Sequence, residues 1–174
     1  MIEKTTTNKI LEFFFDNPTT EFYIREICRK TNISIPSVIS GVKKLKKNNI
    51  LTVKKTKAIK LVKANIENKK FIELKRINNL LKLQDSGFLD FLKNNFNETI
   101  VLFGSYSKGE DTERSDIDIA IINSEYKNLD LTKFEKKLNR NINLHFVEYK
   151  TMKEDFYNSL CNGIVLNGYL SKNG

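Results

Sequence analysis

The sequence predicts an α+β fold in two parts: a basic helical region closed by a short hairpin, and a small mixed sheet flanked by helices, with a helix joining them. Three observations predict it. Apolar residues recur at helical spacing through roughly the first fifty positions and are followed by two β-rich runs, "ILTVKK" and "AIKLVK". Further on, "ETIVLFGS" and "SDIDIAII" are apolar enough to be strands buried on both faces. Between these regions, residues 66–83 contain neither Pro nor Gly and carry Phe71, Ile72, Leu74, Ile77, Leu80 and Leu81 among mixed charges, which reads as a helix rather than a flexible linker. The expected organisation is 1–65, a connecting helix 66–83, and 84–174.

With 174 residues and 40% hydrophobic content, the chain has room for one ordinary domain or two small ones. No run approaches the ~18–20 apolar residues that span a bilayer. "MIEKTTTNK" lacks the basic-then-apolar layout of a secretory signal, so a cytoplasmic protein with no membrane partner is expected. Cys28 and Cys161 are the only cysteines, each alone in a helical context, which argues against a disulfide framework or a cysteine zinc site and makes both expected core residues. Net charge divides unevenly. Residues 1–66 hold 14 Lys and Arg against 5 Asp and Glu, while residues 67–174 hold 16 of each, so the whole excess of +9 lies in the first third. Such asymmetry points one segment at a polyanion.

Each element has a local cause. Thr5, Thr6 and Thr7 offer hydroxyl caps to a first helix carrying Ile10, Leu11, Phe14 and Phe15, which Asn17-Pro18 stops. "YIREICRKT" places Ile24, Ile27 and Cys28 on one side of a second helix. In "SIPSVISGVKKLKKNN", Ser34 is the N-cap, Pro36 sits in the first turn where its missing N–H costs nothing, and Val38, Val42 and Leu45 share a face. The hairpin joins through Thr56-Lys57. Three helices and a basic hairpin resemble a winged helix-turn-helix domain, a family of many DNA-binding regulators that also serves in protein interaction and dimerisation. That resemblance implies DNA as a partner, met by Ser37, Ser40, Lys43, Lys44 and Lys47 on the third helix and by Lys55 and Lys57, with Lys54 and Lys60, on the wing. No Arg, Asn or Gln on the third helix announces a base preference, and a solvated lysine face is the competing reading.

Past the connecting helix, which is expected to pack on both domains or on a second copy of itself as a homodimer, "GFLDFLKNNF" starts another helix with Phe88, Leu89, Leu92 and Phe96 inward. Strand "TIVLF" ends at Gly104-Ser105, and a turn and helix lead to "SDIDIAII". Alternate side chains of a strand share a face, so Asp116 and Asp118 point one way and Ile117 and Ile119 the other. Two neighbouring carboxylates repel, and a divalent cation between them keeps both ionised. Gly104 lets the backbone approach a phosphate, and Ser105 supplies a hydroxyl and N–H groups. A Walker A loop fails because no Gly-Lys-Ser/Thr follows Gly109, and a single His with no strand–Ser–helix context leaves no nucleophile elbow.

Gly104, Ser105, Gly109, Ser115, Asp116 and Asp118 in this order resemble the signature of the DNA polymerase β nucleotidyltransferase superfamily, in particular its minimal stand-alone members, over about residues 84–170. The resemblance implies Mg²⁺ on Asp116 and Asp118, ATP as substrate held at Gly104, Ser105, Lys108 and Ser115, and transfer of AMP to a hydroxyl of a small molecule or of a protein such as a HEPN-type toxin, in the manner of an antitoxin. Tyr106 and Arg114 are further candidates near the phosphates, the competing reading for each, as for Lys108, being an ordinary solvated loop residue. The family's third carboxylate falls in "NINLHFVEY", where Asn143 matches best. Asparagine cannot act as a base. His145, on the same face by period two, is a substitute ligand or base, with a hydrogen-bonded structural histidine as the competing reading, and Glu148 would need a bulge to reach that face. The alternative to an enzyme is a DNA-binding regulator whose catalytically weak transferase domain senses nucleotide. "DLTKFEKKLNR" reads as a helix with Leu131, Phe134 and Leu138 inward, and a closing helix precedes an apolar segment at 164–170 that packs on the sheet.

Overall fold

The computed structural model describes residues 5–55, the side chain of Lys55 apart, and residues 60–171. The chain divides into a unit ending at Asn78 and a unit beginning at Asn79. No helix among the described residues is long and apolar enough to cross a membrane.

The first unit runs α1 (Thr6–Asp16), β1 (Phe22–Tyr23), α2 (Ile24–Thr31), α3 (Ile35–Lys47), β2 (Leu51–Lys55) and β3 (Lys60–Ala64), an order compatible with a winged helix-turn-helix. Thr5 caps α1 by accepting the Asn8 N–H at 3.3 Å, which satisfies one of the amides a helix start leaves unpaired. The Glu26 carboxylate accepts the Tyr23 N–H at 2.8 Å and so fixes the start of α2. Ile10, Phe14, Ile27, Val38 and Val62 are fully buried together, and Phe71 of the following helix stacks on Phe15 with ring centroids 5.2 Å apart. Strand β1 is absent from the sequence reading, which started a helix at Tyr23. It pairs antiparallel with β3, Phe22 opposite Val62 and Tyr23 opposite Leu61, so a three-stranded sheet β1-β3-β2 replaces the expected two-stranded hairpin. A two-residue strand shows no period to read. The hairpin turn at Thr56-Lys57 lies outside the described residues. Lys54 Nζ stands 2.9 Å from Glu21 Oε1, and that hydrogen bond holds the Glu21 carboxyl below its ordinary range.

Helix α4 (Lys69–Ser86) starts and ends three residues later than the sequence suggests, because the Asn68 side chain accepts the Phe71 N–H at 3.2 Å and opens the helix there. Of its apolar residues Phe71 and Leu83 are buried, but Ile77 and Leu81 remain 56% and 54% exposed. The boundary between the units falls inside this helix.

In the second unit α5 (Phe88–Asn95), β4 (Thr99–Phe103), α6 (Gly104–Lys108), β5 (Ile117–Ile122), α7 (Thr132–Leu138), β6 (Ile142–Val147), a 3-10 turn (Tyr149–Thr151), α8 (Glu154–Cys161) and β7 (Ile164–Asn167) follow. The sheet order is β6-β5-β4-β7, with β4 antiparallel to both neighbours and β5 parallel to β6. Alternation along β4 and β5 divides the core. Ile100, Leu102, Ile117, Ile119 and Ile121 pack with Phe88 and Leu92 of α5 and Phe134 and Leu138 of α7. Val101, Phe103, Ala120 and Ile122 face the other way, toward Leu160 and Phe156 of α8. Asp116 and Asp118 share parity with the second set. Cys161 is exposed, against the expectation of a core residue, because α8 turns Leu160 inward and its neighbour about 100° away; Cys28 packs partly buried on the first core.

Gly163 sits where α8 gives way to β7. A Cβ there would lie 2.5 Å from the Leu102 carbonyl oxygen and 3.0 Å from the Leu160 carbonyl oxygen, both backbone atoms of packed elements. Gly163→Ala is therefore expected to destabilise the second unit by about 1–3 kcal/mol in urea unfolding. Unchanged stability would mean that β7 is not held this close to β4.

Candidate functional site

The two aspartates of "SDID" stand at the start of β5, on the face that α8 covers only farther along. Asp118 begins the ladder opposite Phe103 of β4 and, on the other side, opposite Asn143 of β6. Parallel pairing puts Asn143 and His145 on the face of Asp118 and Ala120. The Asn143 amide nitrogen donates to Asp116 Oδ2 at 3.3 Å and to Asp118 Oδ1 at 3.2 Å, so one side chain spans both carboxylates. His145 Nε2 lies 3.3 Å from the same Asp118 oxygen, with its ring edge-on to Phe103 at 5.1 Å between centroids. The sequence pairs Asp116 with Asp118 and Asn143 with His145, and the register of β5 and β6 brings the two pairs together on one face.

Gly104 and Asp118 explain each other's residue type. Gly104 has φ +72°, in the left-handed region, and a Cβ on it would stand 2.7 Å from Asp118 Oδ2. Any side chain would displace the carboxylate as well as strain the backbone. Gly104→Ala is accordingly expected to cost about 1–2 kcal/mol of stability and to weaken any ligand that needs Asp118. Circular dichroism melts together with calorimetric titration of MgATP check both parts. The next residue, Ser105, is half-buried in the first turn of α6, and Ser107 ties that turn down by donating to the Gly104 carbonyl at 2.8 Å.

Other predicted residues are placed less favourably. The Ser115 hydroxyl accepts the Thr112 N–H at 2.9 Å and so closes the loop before Asp116. Lys108 is exposed at the far end of α6. Tyr106, read as either a phosphate neighbour or a solvated loop residue, is instead 3% exposed and packs into the core beneath α5 and α7. Glu148 stays outside because the β5–β6 register is continuous from Ile117–Ile142 to Ile122–Val147, with no bulge to bring it round. Among the described residues no group of three or more His, Cys, Asp and Glu side chains is placed to hold a metal ion.

Two features escaped the sequence reading. Asn141 donates to Asp116 Oδ1 at 3.1 Å. Its signal was present, since Asn141, Asn143 and His145 alternate with Ile142 and Leu144. The second is a buried polar hub. Asn79 donates to the Tyr106 carbonyl at 3.0 Å and to Asp111 Oδ1 at 2.8 Å, while Arg140 Nη2 lies 3.8 Å from Asp111 Oδ2. Asp111 and Arg140 are 2% and 9% exposed, so their charges are held out of water by mutual pairing. The hub ties the Asn79 end of α4 and the entrance to β6 to the loop between Gly104 and Asp116.

On α3 of the first unit Ser40, Lys43, Lys44 and Lys47 are exposed, and Ser37 is half-buried with its hydroxyl accepting from Ser34 at 2.9 Å. Lys55 lies on β2 with its side chain outside the described residues, as is Lys57 altogether.

Comparison with known proteins agrees with the geometry of the second unit. Residues 89–169 match the family described as Polymerase beta, Nucleotidyltransferase. No curated protein matches the chain. The match of this region to that family suggests nucleotidyltransferase-type chemistry, at a site where the described residues hold no intact metal-binding triad.

Proposed function

We propose that the second unit binds a nucleoside triphosphate with one Mg²⁺ and transfers its nucleoside monophosphate to a hydroxyl group of a protein or small molecule. The observation that carries this reading is the convergence of Asp116 and Asp118 on one open face, spanned by the Asn143 amide and abutting Gly104.

The donor set fits one hard cation. Asp116 and Asp118 supply carboxylate oxygens, the Asp118 side chain is 28% exposed, and Mg²⁺ characteristically takes one or two carboxylates and fills its shell with water and phosphate oxygens. Rotation of the Asn143 amide would present its carbonyl oxygen instead of its nitrogen. The set does not fit two such ions, because the position in register with Asp118 carries no acid. When bound, the ion would neutralise charge on the triphosphate. Gly104 and Ser105 would admit phosphate oxygens to the backbone at the start of α6. With Nε2–H donated to Asp118, His145 keeps Nδ1 as an acceptor, and that nitrogen would take the proton from the acceptor hydroxyl. The hydroxyl oxygen then bonds to the α-phosphorus, the bond from α-phosphorus to the bridging oxygen breaks, and pyrophosphate leaves with the electron pair. AMP from ATP, and a HEPN-type toxin as one protein acceptor, are the assignments supported by the resemblance in the Gly104 to Asp118 motif.

Calorimetry of ATP with and without Mg²⁺, followed by mass spectrometry for an adenylyl group on acceptor proteins, tests the reading. Mg²⁺-dependent binding and a transferred AMP are expected. Absence of ATP binding at millimolar concentration in both conditions would end it.

A second reading is favoured by Asn143 and by the +9 charge of residues 1–66. In it the second unit senses nucleotide and the first contacts DNA through Ser40, Lys43, Lys44 and Lys47. Phosphate-dominated binding must weaken steeply between about 50 and 200 mM salt. A gel-shift series that finds no complex at the low-salt end eliminates it.

A further inference from the structure

The first unit carries a concavity of about 510 Å³ between α2, α3 and the β2-β3 hairpin, within the ~300–1,000 Å³ range of ligand-binding clefts. Its floor is aliphatic: Ile24, Ile35, Ile39, Val42 and Val53. Ile35 and Ile39 are 47% and 48% exposed, although they sit on a helix whose buried side is already complete with Val38, Val42 and Leu45. At about 100° per residue, Ile35, Ile39, Val42 and Lys46 fall within roughly 60° of the α3 circumference, Lys43 lies roughly 70° from their centre, and Ser40, Lys44 and Lys47 lie roughly 110–170° round. The apolar strip therefore adjoins the polar face available to DNA, and Lys43 borders both. Ile35 and Ile39, two large aliphatic side chains left uncovered one turn apart beside buried Val42, mark a binding surface.

The rim is cationic. Arg25, Lys43, Lys46 and Lys60 line the concavity, and among the described residues no acidic one does. The two acids nearest in sequence to Arg25 are engaged, Glu21 by Lys54 and Glu26 by the Tyr23 N–H. Duplex DNA complements the rim but not the floor, because its only apolar group in the major groove is the thymine methyl. The exposed side chains of Ile35 and Ile39 under a phosphate backbone would stay wet. An amphipathic helix satisfies both, with apolar anchors at i, i+3 or i+4 and i+7 on the floor and carboxylates flanking them at the rim.

We infer that this groove docks an acidic amphipathic segment of a partner protein, seating apolar anchors on Ile35 and Ile39 between the cations of α2, α3 and β3. The inference stands apart from the chemistry of the second unit, so it survives or fails independently of nucleotide transfer.

The probe is a fluorescein-labelled 16-residue peptide with Leu at i, i+3, i+4 and i+7 and Glu elsewhere on the helix, titrated with the full chain in polarisation measurements at 150 mM salt. Binding with Kd on the order of 10–100 μM is expected. Replacing the leucines by serine, or the glutamates by lysine, should each weaken it at least tenfold. Ile39→Glu and Ile35→Ser, at half-exposed positions that leave the fold intact by circular dichroism, should each do the same. The proposal is overturned if the probe fails to bind at 1 mM protein, if the serine probe binds as well as the leucine probe, or if both variants keep wild-type affinity. It is equally overturned if a 20-base-pair duplex binds more tightly, displaces the probe and loses affinity with Ile39→Glu, since the groove is then a nucleic-acid face.

Discussion

Asp118→Ala is expected to lower pyrophosphate release from ATP by about a thousandfold or more while the second unit stays folded. The carboxylate is the meeting point of the site. Its Oδ1 receives the Asn143 amide at 3.2 Å and faces His145 Nε2 at 3.3 Å, and its Oδ2 occupies the space that Gly104 leaves open. On the proposed reading, alanine would remove a ligand for the cation, the partner that orients the imidazole, and one of the two negative charges that would set the field at the phosphates. Each such loss alone is worth about 10²–10³ in rate when it stabilises transition-state charge in a preorganised site, and acting on one centre they do not simply multiply. The fold should tolerate the change because Asp118 heads a strand whose ladder is made by backbone groups, and its side chain fills no part of the apolar core. Asp118→Asn distinguishes charge from shape: it keeps the volume and should be nearly as inactive. A variant that releases pyrophosphate at the wild-type rate would remove Asp118 from the chemistry and with it the transferase reading.

Asn143→Asp carries the second large effect, and its sign depends on the cation. Without metal the substitution replaces an amide that donates to both aspartates, at 3.3 and 3.2 Å, with a third carboxylate. Two hydrogen bonds vanish and like charges crowd together, so stability should fall by about 2–3 kcal/mol. With Mg²⁺ or Mn²⁺ the same three carboxylates become a stronger ligand set. Affinity for the ion should rise at least tenfold, and binding to the folded state alone raises the melting temperature by mass action. Melts with and without 5 mM Mn²⁺ read both halves at once. The variant should be less stable than wild type in chelator and gain more from the ion. Destabilisation with no rescue by either metal would show that Asp116 and Asp118 do not form a cation site, and would favour a unit that holds its ligand by hydrogen bonds.

Much of this site could be read in advance because its logic is local. A strand with period two puts Asp116 with Asp118, and Asn143 with His145, whatever surrounds them. The helices of the first unit were equally legible from their caps and apolar spacing. Readings failed where geometry depends on contacts distant in sequence. Strand β1 exists only because β3 offers Val62 and Leu61 to Phe22 and Tyr23. Asn79, Asp111 and Arg140 come from three separate stretches, none of which signals that its polar group is buried. Tyr106 sits one residue past a phosphate-like motif yet turns into the core, because a helix only five residues long, Gly104–Lys108, must bury one side. Asn141 is the opposite case: alternation with Ile142 places it on the face of Asn143 and His145, but an amide carries no charge or proton chemistry to single it out in the sequence.

The alignment of Asp118 with Asn143 is made by adjacent strands of a parallel ladder, not by the 24 positions that separate them along the chain. Their spacing is set sideways, by backbone hydrogen bonds, so the intervening excursion through α7 has only to return its strand in step. Within that excursion Lys127 donates to the Asn95 carbonyl at 2.6 Å and Tyr126 meets Phe146 edge-on, so a change of loop length costs those contacts and little closure entropy, and leaves the alignment of Asp118 with Asn143 in place.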